Sequence, residues 1–265
     1  MTQAPSPQDL FRQTMSGGET DTLRQRRFFR RLPTDPRCKS CNAPFGFPGS
    51  LVSRAMKRSP WAKNPRFCTR CYAFLKEHGI DGAEVPVTML FADVRGSTGL
   101  AEELGASEFT RRINRFYRVA GAALIETDGI VDKFVGDGVV GLYIPGLSGL
   151  DHAEKAVVAA RMIAPTERHG LPVGVGVHTG IAFVGALGEG GEVDDFTALG
   201  DTVNIAARLG SEAQAGEILV SAMTAGAANL QTDALEHRHL SLKGRTEPVD
   251  VVVLQPNQAT ETSSA

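Results

Sequence analysis

The stretch IVDKFVGDGVVGLY, residues 130–143, decides how the rest of the chain is read. Its two β-rich runs, 130–135 and 138–144, flank Gly136-Asp137, a pair that favours the tight turn of a hairpin. Upstream, Phe109, Ile113, Phe116, Ala120 and Leu124 recur at helical spacing and predict an amphipathic helix over 107–127. Ser107 is its expected N-cap, and Gly129 ends it. Further upstream, VPVTMLFA (85–92) is an apolar β-forming run. Downstream, 151–163 reads as a helix, VGVGVH (173–178) as a strand and 201–210 as a helix opened by an acidic residue. A short strand over 217–221 and a last hairpin over 238–254, turning at Lys243-Gly244, complete the run. The order β-α-β-β-α-β is a split βαβ unit, which predicts an α/β (α+β) domain of the ferredoxin-like kind.

That topology has a chemical consequence. The first strand lies antiparallel beside the third, so its C-terminal end meets the tip of the 130–144 hairpin. Asp93 sits at the first place and Asp137 at the second, brought together from 44 positions apart. Two carboxylates converging there suit Mg²⁺ or Mn²⁺, hard cations that prefer oxygen ligands. Two such ions could activate an attacking hydroxyl and stabilise a leaving phosphate. Taken singly, each residue also reads as structure, Asp137 as a turn residue and Asp93 as a strand-end cap. No GxxxxGK[ST] phosphate loop occurs. The glycine-rich GALGEGGE (185–192) reads as a flexible hairpin connection, and His178, inside a strand, as a structural histidine.

The N-terminal third has a different composition. Residues 1–76 carry 15 Lys+Arg against 4 Asp+Glu, a net of +11, and residues 77–265 carry 13 against 26, a net of −13. Residues 1–32 are expected to be a basic arm, disordered over the polar stretch 1–22, with a short helix over the run Arg24–Arg31. Residues 33–80 are too rich in proline and too short to hold a core unaided. Their four cysteines answer that need. Cys38-x2-Cys41 and Cys68-x2-Cys71 bring four thiolates to one centre, which fits tetrahedral Zn²⁺, with an iron–sulfur cluster as the alternative. Between 23 and 76, 14 Lys+Arg face the single acid Asp35, with Phe28, Phe29, Phe45, Phe47, Trp61 and Phe67 interspersed. Nucleic acid, an anionic membrane or the acidic remainder of the protein could each meet such a surface, and the near-cancelling charges favour the last. With no apolar leader and no run of ~20 apolar residues, a cytoplasmic location is expected. Residues 256–265 read as a disordered tail.

Three blocks carry a family resemblance: FADVRGST (91–98), KFVGDGVVGLY (133–143) and TALGDTVNIAAR (197–208). In this order and spacing they resemble the signature blocks of class III adenylyl/guanylyl cyclases. VGVHTGIAFVG (175–185) and LSLKGRTEPVDVVVL (240–254) extend the likeness to about 85–255. The resemblance implies a ferredoxin-like catalytic domain that works as a homodimer, with active sites at the interface. It implies that Asp93 and Asp137 hold two Mg²⁺ or Mn²⁺ and that Lys133 and Thr197 read the purine. Asn204 and Arg208 would orient the ribose and stabilise the transition state, and Lys243 would bind phosphate. Lys133 can donate to adenine N1 and the Thr197 hydroxyl can accept from N6, whereas guanine would call for an acid at 133. The expected activity is therefore conversion of ATP to 3′,5′-cyclic AMP and pyrophosphate in signal transduction. A catalytically silent nucleotide-binding or regulatory domain, a nucleic-acid-binding interaction protein and a guanylyl cyclase are the rival readings. Thr at 197 marks a bacterial-type subgroup, some of whose members respond to bicarbonate.

Overall fold

The computed structural model describes residues 6–17, 21–62, 65–78, 82–188, 195–242 and 247–256. In chain order the helices are α1 (Pro7–Ser16), α2 (Asp21–Arg30), α3 (Gly49–Ala55), α4 (Thr69–His78), α5 (Ser97–Leu104), α6 (Ala106–Glu126), α7 (Pro145–Ser148), α8 (His152–Ile163), α9 (Asp201–Glu212) and α10 (Ala222–Ala227). The strands are β1 (Ala83–Val94), β2 (Ile130–Val135), β3 (Gly138–Tyr143), β4 (Val173–Leu187), β5 (Asp195–Leu199), β6 (Ile218–Ser221), β7 (Glu236–Leu240) and β8 (Val249–Leu254). They fall into two compact units. One comprises 1–86, 144–150 and 181–200, and the other comprises 87–143, 151–180 and 201–265.

The second unit holds a sheet in the order β2-β3-β1-β4-β6-β8-β7. Its first four members have the ferredoxin-like order read from the sequence, with β1 antiparallel to β3. All six residues of β3 are buried, as an inner strand covered on both faces requires. Leu90, Phe116, Leu124, Tyr143, Val157, Ile163, Val175 and Val220 form its main core, each fully buried apolar side chain contributing about 1.5–3 kcal/mol. Glycines set the closest approaches. A Cβ at Gly141 would lie 2.5 Å from Leu124 Cδ2, and one at Gly176 would lie 2.2 Å from the Gly210 nitrogen. Neither α6 nor α9 could settle on the sheet with larger residues there.

The connection between β1 and β2 holds two helices rather than the one expected. Gly105, at φ 75°, is both the end of α5 and the N-cap of α6. That corrects the capping role expected of Ser107, which lies inside the first turn of α6. The left-handed conformation at the junction suits glycine. Strand β4 is also far longer than 173–178, and from Ile181 onward it belongs to the first unit, where it pairs with β5.

Within the stretch 1–22, expected to be disordered, residues 7–16 instead form helix α1, while 1–5 and 18–20 lie outside the described residues. Helix α1 begins with a reciprocal capping box between Ser6 and Asp9, which satisfies two backbone donors at once. It buries Phe11 and Met15, and the Phe11 ring meets Phe196 edge-on at 6.4 Å. A Cβ at Gly146 would lie 2.0 Å from the Thr14 carbonyl oxygen, so α7 touches α1 through bare backbone. The order of this stretch thus comes from residues far along the chain. Of the tail, residues 257–265 lie outside the described ones, as does the 189–194 part of the glycine-rich connection.

Candidate active site

Asp93 is the penultimate residue of β1 and its Cα pairs with Gly138 across the ladder. Asp137 precedes Gly138 in the turn, where Gly136 takes φ 60°. A Cβ at Gly138 would lie 3.3 Å from Asp93 Oδ1, so the Asp93 carboxylate faces the turn that carries Asp137. Burial raises the Asp93 carboxyl above its ordinary range, the Arg95 guanidinium opposes that rise, and the Asp137 charge adds to it. Two acids that resist sharing their charge are suited to a divalent cation. Arg95 Nη2 donates to Asp93 Oδ2 while its Nη1 donates to the Ser211 carbonyl.

The turn is held from behind. Tyr117 on α6 donates its hydroxyl to the Gly136 carbonyl and packs its ring on Phe134 at 4.4 Å between centroids. Beside Asp137 a cavity of about 370 Å³ is lined by Ser97, Thr98, Phe109, Thr110 and Ile113. Ser97 and Thr98 open α5, whose N-cap Gly96 offers no side-chain acceptor, and both residues line the cavity. Such an end attracts phosphate. Arg95 is visible in the sequence only as a neighbour of Asp93, and Tyr117 carries no sequence signal for its part.

Lys133 lies on β2 beside a bulge between Val131 and Lys133, a feature that re-aims a side chain. Its ammonium is 3.3 Å from Asp132 and remains half-exposed. Asn204 and Arg208 lie four apart on α9 and share its outer side, because Thr202, Ile205, Ala206 and Leu209 are buried. Thr197 belongs to the first unit, on β5, with its Cα paired to Gly185 and its side chain buried. Lys243 lies outside the described residues. His178 is buried and bonded to Ser221 Oγ at 2.8 Å, a structural role as expected.

Residues 82–255 match the Adenylate and Guanylate cyclase catalytic domain. The chain belongs to that family. Within the cyclase family it is 32% identical over 149 residues to an adenylate cyclase of Anabaena cylindrica, covering 49% of this chain and 29% of that protein. It is 30% identical over 182 residues to adenylate cyclase 1 of Rhizobium meliloti, covering 62% and 27%. The chain thus spans under a third of the length of these relatives. The crystal structure of the adenylyl cyclase CyaB from P. aeruginosa superposes with a TM-score of 0.56 at 30% identity, covering 64% of this chain and 94% of that one. A guanylyl cyclase of known structure superposes with 0.57 at 27% identity, covering 65% and 92%. The cyclase fold follows for residues 82–255. No described helix is long and apolar enough to cross a membrane.

In the first unit, Cys38, Cys41, Cys68 and Cys71 are all buried, with every sulfur within 4.8 Å of every other. Cys41 Sγ and Cys68 Sγ are 3.8 Å apart, about the edge of a tetrahedron with ~2.3 Å metal–sulfur arms. Backbone amides approach the sulfurs, Cys68 N to Cys38 Sγ at 3.2 Å and Cys71 N to Cys68 Sγ at 3.5 Å. Arg58, buried, sets Nη1 3.6 Å from Cys71 Sγ and 3.8 Å from Cys68 Sγ, and stacks its guanidinium over Phe29. Burial pushes the Cys38 thiol up, and hydrogen bonding with Cys38 and its fellow cysteines pulls Cys68 down. Donor amides and a buried cation around four sulfurs fit a thiolate-bound metal ion.

The same unit shows where the basic residues go. Arg26 is fully buried and donates to the Lys39 and Ser40 carbonyls. Arg37 donates to the Phe29, Leu32 and Asn42 carbonyls. Lys39 and Arg66 both pair with Asp195. With Arg58 on the sulfurs, five of the basic residues are engaged internally, while Arg24, Arg31, Arg54, Lys57, Arg70 and Lys76 remain exposed.

Proposed function

We propose that the protein is an adenylyl cyclase, converting ATP to 3′,5′-cyclic AMP and pyrophosphate as a homodimer with active sites at the interface. The observation that supports this reading is the pairing of Asp93 with Gly138, next to Asp137 in the hairpin turn, at one end of the β1–β3 ladder. The Asp93–Asp137 pair would hold Mg²⁺ or Mn²⁺, which when bound supplies charge for the triphosphate and lowers the proton affinity of the attacking hydroxyl. The ribose 3′-oxygen then bonds to the α-phosphorus, its proton leaves, and the bond to pyrophosphate breaks. Arg208 presents a planar fork suited to the developing phosphoryl charge, and Asn204, on the same face, orients the ribose. Lys133 and Thr197 take the adenine, and Lys243 the terminal phosphates. Catalysis belongs to 85–255.

The cysteine centre of 33–80 is read as a zinc site. A single ion suits sulfurs all within 4.8 Å, whereas an iron–sulfur cluster would spread its cysteines around a larger inorganic core. The test is parallel assay of ATP and GTP with Mn²⁺ or Mg²⁺, with metal analysis of the purified protein. Cyclic AMP lost in Asp137→Ala is the expected result. Cyclic GMP from GTP as the main product would reassign the substrate.

A further inference from the structure

The four-cysteine centre is joined by ion pairs to the strand that carries Thr197. Lys39 lies between Cys38 and Cys41, so two proposed metal ligands fix its backbone on both sides. Its amide donates to the Arg66 carbonyl at 2.8 Å, which ties the first knuckle to the segment entering the second. The Lys39 side chain is only 4% exposed, and a buried ammonium requires an anionic partner. That partner is Asp195, the first residue of β5, with Lys39 Nζ 2.8 Å from Oδ1. Arg66 Nη1 reaches the same oxygen at 3.2 Å. Oδ1 also accepts from the Phe196 amide at 2.8 Å. Phe196 in turn is buried against Phe11 of α1. The two residues before Thr197 are thus clasped by the N-terminal segment, one by charge and one by aromatic contact. Beyond these contacts, β5 is paired to β4.

We infer that Asp195 is a positioning residue that latches β5 to the cysteine knuckles, so that metal at the four cysteines governs the setting of Thr197 and hence nucleotide use. Losing the metal frees the two knuckles that aim Lys39 and Arg66, and β5 then loses its charged anchor. The inference rests on the adenine-reading part proposed for Thr197, and the experiment separates the two.

The full chain is compared with Asp195→Asn, Lys39→Met, Lys39→Arg and Thr197→Ala, each with and without displacement of the cysteine-bound metal by a thiol-reactive mercurial. The structural readout is amide hydrogen exchange of the peptide over 195–199. Exchange there should quicken on metal removal in the original protein. It should already be quick in metal-loaded Asp195→Asn and Lys39→Met, with little further change when the metal leaves, and slow again in Lys39→Arg. The kinetic readout is the ATP-over-GTP ratio of kcat/KM, expected to fall about three- to tenfold in the same variants, the effect of misplacing one neutral hydrogen bond. Unchanged exchange in metal-loaded Asp195→Asn, or an equal response to metal removal in both proteins, overturns the latch. If exchange behaves as expected but Thr197→Ala keeps its selectivity, the link to nucleotide use falls, and with it the part proposed for Thr197.

Discussion

Asp93 and Asp137 approach each other because Gly138, the next residue after Asp137, stands directly opposite Asp93 in the β1–β3 ladder. A larger residue at 138 would press on the Asp93 carboxylate, which lies 3.3 Å from the position of its Cβ. Asp93→Ala or Asp137→Ala should abolish turnover, by ~10²-fold or more since several kcal/mol of charge stabilisation are lost. Circular dichroism and the oligomeric state should not change. Near-normal rates in either variant would reject the metal assignment.

Proton competition gives that site a pH signature. The folded state keeps a proton on Asp93 at pH values where an ordinary aspartate, at 3.8, has lost it. The stability this group adds therefore falls as pH rises above 3.8, whereas affinity for a divalent cation rises with pH, since the cation and the proton compete. Titration of Mn²⁺ by paramagnetic relaxation at several acid pH values should show that dependence, and Asp93→Asn should remove it. A flat profile in the original protein would count against a carboxylate site.

Purine choice is expected to follow donors and acceptors. Lys133→Glu combined with Thr197→Cys should weaken the preference for ATP over GTP, read as the ratio of kcat/KM. Removing a matched hydrogen bond and leaving the wrong group unpaired amounts to about 1–3 kcal/mol, roughly 5- to 150-fold. An unchanged ratio would mean that other residues read the base.

Tyr117 supports the turn through the Gly136 carbonyl. Tyr117→Phe keeps the ring against Phe134 and removes only the hydroxyl. A net hydrogen bond of about 0.5–1.5 kcal/mol predicts a fall in kcat of roughly two- to tenfold, with a fold of unchanged melting cooperativity. Wild-type kinetics in that variant would show that the turn holds its own shape.

His152 supplies a stability switch away from the chemistry. Burial lowers it from 6.5 to about 4, and its Nδ1 lies 2.9 Å from Thr88 Oγ1, which lies 2.8 Å from Thr179 Oγ1. The unfolded chain binds the proton first, so stability from this group is full above pH 6.5 and is lost as pH falls toward 4. Urea unfolding should show a decline of the order of 2–3 kcal/mol over that interval, largely absent in His152→Asn. Parallel profiles would exonerate His152.

Residues 130–143 were enough to place the hairpin, and alternation and helical spacing were enough to order β1, α6, β3 and β4, because those signals are local. The two CxxC pairs marked a candidate metal centre for the same reason, since ligand chemistry is written in residue type and spacing. Gly105 against Ser107 shows where local signals mislead: the cap was decided by a left-handed junction between two helices. Helix α1 was illegible because its order depends on Phe196 and Gly146, more than a hundred residues away. Tyr117 at the Gly136 carbonyl, Arg58 on the sulfurs and Lys39 on Asp195 are pairings of common residues at unremarkable positions. The sequence by itself determined the order of the first four strands, the acidic pair and the four thiolates. Only the tertiary structure decided which buried cation meets which anion, because charge pairing is set by distance through space and leaves no period along the chain.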